Sequence, residues 1–193
     1  MTKYPAYSDL VKLRVEDIRE PENERFTVID FETNGKWNDE VEVIEFAAVK
    51  VEYGELGTNL ASLCRASEPL SGFIVNLTGI NDAMIYDKPP FEEFLEGFLS
   101  YIGNDIVVAH NASFDVGILL GYCKRAGIKY RPRVLDTVAN SRRLFPDFPN
   151  HKLGTLGEIM DLFDGDAHRA LADSLATARL LLKMFEYRKT GTF

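Results

Sequence analysis

Hydrophobic and polar positions along the chain follow two periods, one typical of strands and the other of helices. Residues 26–31 are β-branched and aromatic and precede the turn signal Asn34-Gly35, so we predict a strand there. Two further runs rich in β-forming residues, 43–53 and 60–65, follow after short links. Three consecutive strands with short connections are typical of an antiparallel meander.

After these strands the pattern alternates between helix and strand. Residues 67–81 are predicted to be mostly loop, and two prolines then introduce an amphipathic helix whose Phe91, Phe94, Leu95 and Phe98 recur at helical spacing. The other predicted elements are strand 105–109, a helix capped by Ser113, strand 134–136 and helices 137–144, 155–163 and 168–188. The pattern predicts an α/β fold with a mixed five-stranded sheet (three antiparallel strands, then parallel strands) and helices on both faces.

The length of the chain, 193 residues, is typical of one domain with a sizeable core. We expect residues 25–189 to form this domain. A polar N-terminal extension, 1–24, precedes it, and residues 9–20 of this extension are compatible with a helix. A short tail, 190–193, follows the domain.

Composition limits the class and location of the protein. Hydrophobic residues make up 46% and charged residues 27%, as in soluble globular proteins. The longest apolar stretch, 116–123, is far too short to span a membrane, and residues 1–12 contain no apolar segment of a secretion signal. Cys64 and Cys123 lie in apolar segments without metal-type spacing, which favours buried thiols in a reducing compartment. We therefore expect a cytoplasmic protein with no membrane association.

The distribution of charge is uneven. The net charge of −8 argues against broad electrostatic capture of a long duplex. Residues 1–100 carry 9 basic and 20 acidic residues, whereas residues 101–193 carry 13 basic and 10 acidic residues. A short nucleic-acid end held by a few contacts stays compatible with this distribution.

Two carboxylates lie at the end of the first predicted strand. Because side chains alternate along a strand, Asp30 and Glu32 point to the same side as Phe26 and Val28. Neighbouring carboxylates that lose hydration repel each other, and their pKa values rise unless a cation lies between them. A hard divalent ion with oxygen ligands meets this requirement. A solvated strand end is the alternative interpretation.

The last predicted helix places an acid among apolar neighbours. One apolar stripe consists of Leu171, Leu175, Ala178, Leu182 and Phe185. Asp173 instead belongs to a second stripe with Ala170, Thr177, Leu180 and Met184, so we expect the helix to be packed on two sides. An aspartate there is expensive to bury unpaired. Metal ligation explains it, and so does a capped or paired structural role.

Histidine occurs twice next to other candidate polar residues. His168 lies near the start of the last helix, where the helix dipole disfavours the imidazolium and helps to keep a neutral base. An exposed histidine at a helix start is the alternative. His110 and Asn111 follow a predicted strand, and Asp115 lies in the first turn of the next helix, where the dipole also favours an acid. Each of these residues alone is weak evidence for a site.

The order and spacing of these residues together are specific. The three segments are Asp30-Phe31-Glu32-Thr33-Asn34-Gly35, His110-Asn111-Ala112-Ser113-Phe114-Asp115 and His168-Arg169-Ala170-Leu171-Ala172-Asp173. They closely resemble the three motifs of the DEDDh exonuclease superfamily, and most of all the epsilon-type proofreading exonucleases of bacterial replicative DNA polymerases. The resemblance runs from about residue 26 to about residue 187. A tyrosine at the position of Arg169 would indicate the sister subgroup, so the His form is the better assignment.

This resemblance implies a ribonuclease-H-like fold and metal-dependent hydrolysis of nucleic acid from the 3′ end with release of nucleoside monophosphates. Two Mg²⁺ or Mn²⁺ ions would be held by four acids, namely Asp30, Glu32, Asp115 and Asp173. His168 would be the general base. With these four acids it completes a set of five catalytic residues.

The resemblance also implies contacts to the terminal nucleotides of the substrate. The residues concerned are Phe31, Thr33, Leu77, Thr78, Gly79, Ile80, His110, Asn111 and Phe114. Core packing for the apolar members and a turn role for Asn111 are the alternative interpretations.

We therefore predict a 3′–5′ exonuclease that acts on the 3′ end of single-stranded DNA, with a DNA polymerase as a partner. One alternative is a 3′–5′ exoribonuclease that trims RNA ends, because the three motifs do not report the 2′-hydroxyl. An alternative of another class is an inactive module that binds nucleic acid or a polymerase. The oligomeric state is not readable from the sequence.

Overall fold

The computed structural model describes residues 4–36, 40–164 and 169–192. Its centre is a mixed sheet built from six strands in the described part of the chain. These are β1 (Val11–Leu13), β2 (Arg25–Thr33), β3 (Val43–Glu52), β4 (Glu55–Leu63), β5 (Ile106–Ala109) and β6 (Arg133–Asp136). The strand order is β1-β6-β5-β2-β3-β4. Strands β2, β3 and β4 pair antiparallel, whereas the other pairs are parallel, which confirms the predicted mixed sheet.

The sheet contains one strand more than the five that the sequence predicts. The additional strand, β1, comes from the N-terminal segment and pairs in parallel with β6, with Val11 opposite Arg133. Residues 9–20 contain β1 and a 3₁₀ turn (Val15–Asp17) in place of a continuous helix. Val15 and Ile18 are buried in the core, and the guanidinium of Arg188 donates to both of their carbonyl groups. Tertiary contacts thus override the local preference of this segment.

Seven α-helices are assigned in the described residues. They are α1 (Gly72–Thr78), α2 (Asp82–Ile85), α3 (Phe91–Ile102), α4 (Ala112–Arg125), α5 (Thr137–Leu144), α6 (Leu153–Met160) and α7 (Ala170–Thr190). Helix α1 lies in the stretch predicted as mostly loop. It is a capped helix: the Ser71 hydroxyl accepts from the Ile74 amide, and Gly79 ends the helix at a φ of 71°. A helix of two turns is too short to show a clear period.

Hydrophobic cores cover both faces of the sheet. Ile29 and Phe31 on β2 pack with residues of α3 and α4 in the first core. Phe26 and Val28 belong to the second core, which includes residues of α6 and α7. The alternation predicted for β2 is therefore present, and Asp30 and Glu32 share the face that α7 covers.

Helix α7 lies against β2 and β3. It buries Ala170, Thr177, Leu180 and Met184, the stripe that also carries Asp173, whereas the other stripe contains half-buried leucines. The packing on two sides is confirmed, and the stripe with Asp173 is the more deeply buried one. This orientation turns Asp173 toward the sheet.

Two predictions made from composition concern the cysteines and membrane-spanning segments. Cys64 and Cys123 are buried free thiols, as the sequence predicts. Among the described helices, no segment combines the length and apolar character that crossing a membrane requires.

Candidate active site

Three of the predicted acids converge where β2 approaches the first turn of α7. Carboxylate oxygens of Asp30, Glu32 and Asp173 lie within 4.8 Å of one another, and all three side chains are half-buried. Asp30 and Glu32 are brought together by strand alternation, and Asp173 by the packing of α7. Two elements that are far apart in sequence thus bring their acids into one cluster.

The fourth predicted acid, Asp115, borders the same cluster. It lies in the first turn of α4, is 3% exposed, and its Oδ1 accepts a hydrogen bond of 3.1 Å from the Phe31 amide. That amide lies on β2 between Asp30 and Glu32 in sequence. The hydrogen bond therefore fixes Asp115 beside the two acids of β2.

The electrostatics of the cluster are unfavourable for four ionised groups. Burial, with further repulsion from Asp115 and Asp173, raises the pKa of Asp30 well above its ordinary value. Burial and the charge of Asp173 raise the pKa of Glu32 to about 7. Burial raises the pKa of Asp115 to about 8, although its hydrogen bond from the Phe31 amide opposes the rise. The cluster therefore holds protons near neutral pH when no cation neutralises it.

The donor set fits a hard divalent cation. Clustered carboxylate oxygens are the ligands that Mg²⁺, Mn²⁺ and Ca²⁺ prefer, whereas Zn²⁺ sites usually include nitrogen or sulfur. The raised pKa values show that the cluster lacks sufficient positive charge from the described residues. Asp30, Glu32 and Asp173 have carboxylate oxygens close enough together to share such an ion, and Asp115 lies beside them.

A residue that the sequence interpretation missed, Glu45, holds the start of α7. It lies on β3 directly opposite Glu32 and is 5% exposed. Both of its oxygens accept from the Arg169 Nε at 3.1 and 3.0 Å, Oε1 also accepts from Arg169 Nη2 at 2.5 Å, and Oε2 accepts from the Ala170 amide at 2.9 Å. The only sequence signal is one acid inside the apolar run 43–49.

The predicted general base cannot be placed. His168 lies outside the described residues, which resume at Arg169. The Glu45–Arg169 ion pair fixes Arg169, the residue that directly follows His168 in the sequence.

The residues predicted to grip the 3′ end lie at the end of α1. The Thr78 hydroxyl donates to the Ile74 carbonyl and accepts from the Ile80 amide, so it is engaged within the loop. Ile80 is fully buried, whereas Leu77 is 43% exposed. Gly79 has the left-handed conformation described above. Leu77 is therefore the side chain of this segment that is presented to solvent.

Phe31 and Thr33 have partners within the protein. Phe31 is buried and packs against Phe91 and Phe98, with ring centroids 5.3 and 5.6 Å away. The Thr33 hydroxyl accepts from the Gly35 amide at 3.3 Å. The Phe31 side chain is thus a core residue.

His110 also has two partners in the protein. Its Nδ1 lies 2.9 Å from the Thr137 hydroxyl and its Nε2 lies 3.0 Å from the His151 carbonyl. Burial lowers the pKa of His110 to about 4, so the ring is neutral. Because a carbonyl only accepts, Nε2 carries the proton, and the unprotonated Nδ1 shares the proton of the Thr137 hydroxyl with the Ala109 carbonyl, which lies 3.3 Å from that hydroxyl. His110 thereby anchors the loop between α5 and α6.

Asn111 and Phe114 lie at the exposed start of α4. Asn111 occupies the N-cap position with a φ of 69°, a left-handed conformation that asparagine tolerates. Ser113, which the sequence predicted as the cap, instead donates a hydrogen bond to the Asn111 side chain. Phe114 is 37% exposed. Both side chains are accessible beside the acids.

Comparison with known proteins identifies relatives of the chain. Residues 27–181 match the exonuclease family RNase T. The chain is 42% identical over 167 residues to the PolC-type DNA polymerase III of Bacillus subtilis strain 168. The matched region covers 86% of this chain and 12% of the polymerase. The corresponding polymerase of Caldanaerobacter subterraneus is 39% identical over 161 residues, or 83% of this chain and 12% of that protein. The chain thus spans about 12% of the length of these curated relatives.

Solved structures share the fold. Exonuclease X in complex with 5′-overhanging duplex DNA has a TM-score of 0.66 and 28% identity, covering 87% of this chain and 94% of that chain. E. coli exonuclease I in complex with a dT13 oligonucleotide has a TM-score of 0.74 and 19% identity, covering 87% of this chain and 43% of that chain. The second likeness concerns the fold alone.

Proposed function

The chain belongs to the RNase T exonuclease family, as its three motifs predicted, and on this premise we propose that it hydrolyses single-stranded DNA from the 3′ end and releases nucleoside monophosphates. The observation that carries the proposal is the cluster of carboxylates from β2, α4 and α7. Such a cluster destabilises the fold when it is ionised and alone, which is typical of a binding site rather than of a structural acid.

We assign the acids to metal binding. Asp30, Glu32, Asp115 and Asp173 would hold two Mg²⁺ or Mn²⁺ ions. Bound divalent ions supply Lewis-acid stabilisation of the charge that develops in phosphoryl transfer. The backbone of β2 and the first turns of α4 and α7 keep these four side chains in place before substrate arrives.

We assign the proton transfer to His168. It would take up a proton from the attacking water, a role worth about 10²–10⁴ in rate. Support comes from its position directly before Arg169, whose guanidinium is fixed by the buried Glu45.

The substrate assignment rests on the exposed side chains around the acids and on the relatives. Leu77 and Phe114 offer apolar surface for terminal bases, and Asn111 offers an amide. Phe31, Thr33, Thr78, Gly79, Ile80 and His110 would shape this surface mainly through the backbone or by supporting it. DNA is favoured because the relatives are DNA polymerases and exonuclease X was solved with DNA. An exoribonuclease is the alternative.

We also propose a bacterial cytoplasmic location and association with a DNA polymerase. Both rest on the relation to PolC-type polymerases, of which the chain spans only a small part. The proposal concerns hydrolysis, and polymerisation is not attributed to this chain.

The test is release of labelled mononucleotide from a 3′-labelled single strand with Mg²⁺ or Mn²⁺. Asp30→Asn and Glu32→Gln should lower the rate by about 10²–10³-fold or more, because each removes an anionic oxygen from the cluster. Glu96→Gln, the same change at an exposed position of α3, is the matched control and should retain the rate.

Three results would overturn parts of the proposal. Wild-type rates in Glu32→Gln would reject the assigned cluster. Faster hydrolysis of a matched RNA strand would replace DNA by RNA as the substrate, and binding of both strands without hydrolysis would favour the inactive module.

A further inference from the structure

A second concave surface lies next to the acids, at the carboxyl ends of β5 and β6. This basic cleft has a volume of about 600 Å³, and its polar lining residues include His110, Asn111, Asp136, Arg142, His151 and Lys152. It is formed where the loop between α5 and α6 folds back over the ends of the two parallel strands. The sequence motifs included only His110 and Asn111 among these residues.

The charge of the cleft is positive and available. Arg142 and Lys152 are exposed, and no ion pair of either side chain is found among the described residues. The acid in the lining, Asp136, is engaged, since its Oδ1 accepts from the amides of Val138 and Ala139 at 2.8 and 3.1 Å as the cap of α5. The two cations of the lining therefore outnumber its one carboxylate, of which one oxygen is engaged as the helix cap.

The loop that carries these cations is fixed in place. The Nε2 of His110 donates to the His151 carbonyl at 3.0 Å, and the Asn150 side chain accepts from the Lys152 amide at 3.0 Å. Arg142 is close enough that its charge contributes to lowering the pKa of His151, after burial. The Nδ1 of His151 is buried and has no hydrogen-bond partner in the described part of the chain. The cleft thus has a preformed polar wall.

The cleft and the acids share one structural element. Asn111 lines the cleft and occupies the N-cap position of α4, and Asp115 follows four residues later in the first turn of the same helix. The first turn of α4 therefore borders both the cleft and the acids. Arginine, lysine and asparagine are typical phosphate ligands, because they combine positive charge with N–H donors.

We propose that the basic cleft binds a phosphodiester of the substrate strand adjacent to the one that is hydrolysed, with Arg142 and Lys152 as its contacts. This inference rests on the proposed function, because it extends the same site along the strand. It also explains how a chain with a net charge of −8 holds a polyanion, since a local pair of cations is sufficient for a short end.

The chain offers a matched control for the test. Arg143 directly follows Arg142 but lies outside the cleft, and its Nη2 is 3.7 Å from a carboxylate oxygen of Glu16. Arg142→Gln and Arg143→Gln remove the same charge at adjacent positions. Any difference between the two variants therefore reports location and not net charge.

Two substrates distinguish the contribution of the cleft to substrate binding from that of the acids. A short 3′-labelled oligothymidylate contains adjacent phosphodiesters, whereas the p-nitrophenyl ester of thymidine 5′-monophosphate contains none. Arg142→Gln and Lys152→Gln should each raise the KM for the oligonucleotide relative to that for the ester by about fivefold to tenfold. Each should also lower the slope of log KM against log salt by roughly 0.7, the value for one lost phosphate contact on a single strand. Arg143→Gln should change neither quantity.

Binding measured without turnover keeps the two proposals distinguishable. Fluorescence anisotropy of the labelled oligonucleotide in Ca²⁺ should show the same losses for Arg142→Gln and Lys152→Gln. Equal effects of Arg142→Gln and Arg143→Gln, or equal loss on ester and oligonucleotide, would overturn the cleft assignment. If the wild type hydrolysed neither substrate, the proposed function would fail, and the anisotropy series would still decide whether the cleft binds the strand.

Discussion

The same pair of strands carries buried charge at two places, and the protein treats them differently. Toward one end, Thr27 on β2 lies opposite Lys50 on β3, and the ammonium of Lys50 lies 2.5 Å from Asp105 and 2.9 Å from the Thr27 hydroxyl. The other oxygen of Asp105 lies 3.3 Å from Arg25. Every charge of this network has a counter-charge from the chain.

At the other end, on the opposite face, Asp30 and Glu32 meet Asp115 and Asp173. Glu45 is opposite Glu32 on β3, and Arg169 is bound to Glu45. Burial raises the pKa values of Asp30, Glu32 and Asp115, and the charge of Arg169 only partly offsets this for Glu32. The first network has its counter-charges within the chain, whereas the described residues offer the second cluster too few, and we propose that divalent cations complete it.

The largest change in stability is expected when the network of Lys50, Asp105 and Arg25 is disrupted. Lys50→Met leaves Asp105 buried with Arg25 as its remaining cation. We expect a loss of about 3 kcal/mol in the free energy of unfolding, at the lower end of the cost of breaking a buried ion pair. Urea denaturation measures it, with Lys50→Met/Asp105→Leu as the control that removes both charges.

The double variant should recover much of this stability, because it leaves no unpaired buried charge. A single variant as stable as the wild type would show that the network is not a distinct, self-neutralised region.

The stability that the acidic cluster contributes should depend on pH. Its acids have folded-state pKa values of about 7 for Glu32 and about 8 for Asp115, above their unfolded values, so the folded state binds more protons between about pH 4.5 and 8. Stability of the metal-free protein from these groups therefore falls as pH rises through that window, by several kcal/mol in total at about 1.4 kcal/mol for each unit by which a pKa is raised.

Thermal unfolding of metal-free protein across this pH range gives the slope. Asp30→Asn/Glu32→Gln should flatten it, since two of the titrating acids are gone. A wild-type stability that falls with pH no more steeply than that of this variant would contradict the assigned repulsion.

A smaller effect should come from the link between the cluster and α7. Glu45→Gln keeps an acceptor for the Ala170 amide but removes the charge that binds Arg169. We expect kcat to fall about tenfold with little change in KM, since a positioning partner of site residues is typically worth 10–100-fold. Steady-state kinetics at fixed Mn²⁺ measure this, and Glu96→Gln is the control.

If Glu45 has only a structural role, the variant will lose stability while kcat stays at the wild-type value. Restored kcat in Glu45→Asp, which retains the charge, would support the positioning role.

Sequence reasoning succeeded where function required a local pattern. Asp30 and Glu32 are two positions apart on one strand, and the motif around Asp115 follows a strand and opens a helix, so their placement follows from short-range periodicity. The mixed sheet followed from apolar runs and turn signals for the same reason.

It failed where long-range contacts decide the structure. Strand β1 forms because β6 offers a free edge, which residues 11–13 themselves do not encode. Glu45 appears in the sequence as one acid among apolar neighbours, and its partner Arg169 lies 124 positions away. The cleft needs the α5–α6 loop to fold back on β5, a contact that no spacing in the chain predicts.

The central claim is that the acidic cluster is completed by divalent cations. Calorimetric titration of Mn²⁺ into the wild type and Asp30→Asn/Glu32→Gln tests it most directly. We predict saturable binding of two ions by the wild type, with proton release near pH 7 because the raised pKa values keep protons on the empty site, and strongly weakened binding by the variant. Equal binding of Mn²⁺ by both proteins, or no binding by the wild type, would contradict the account.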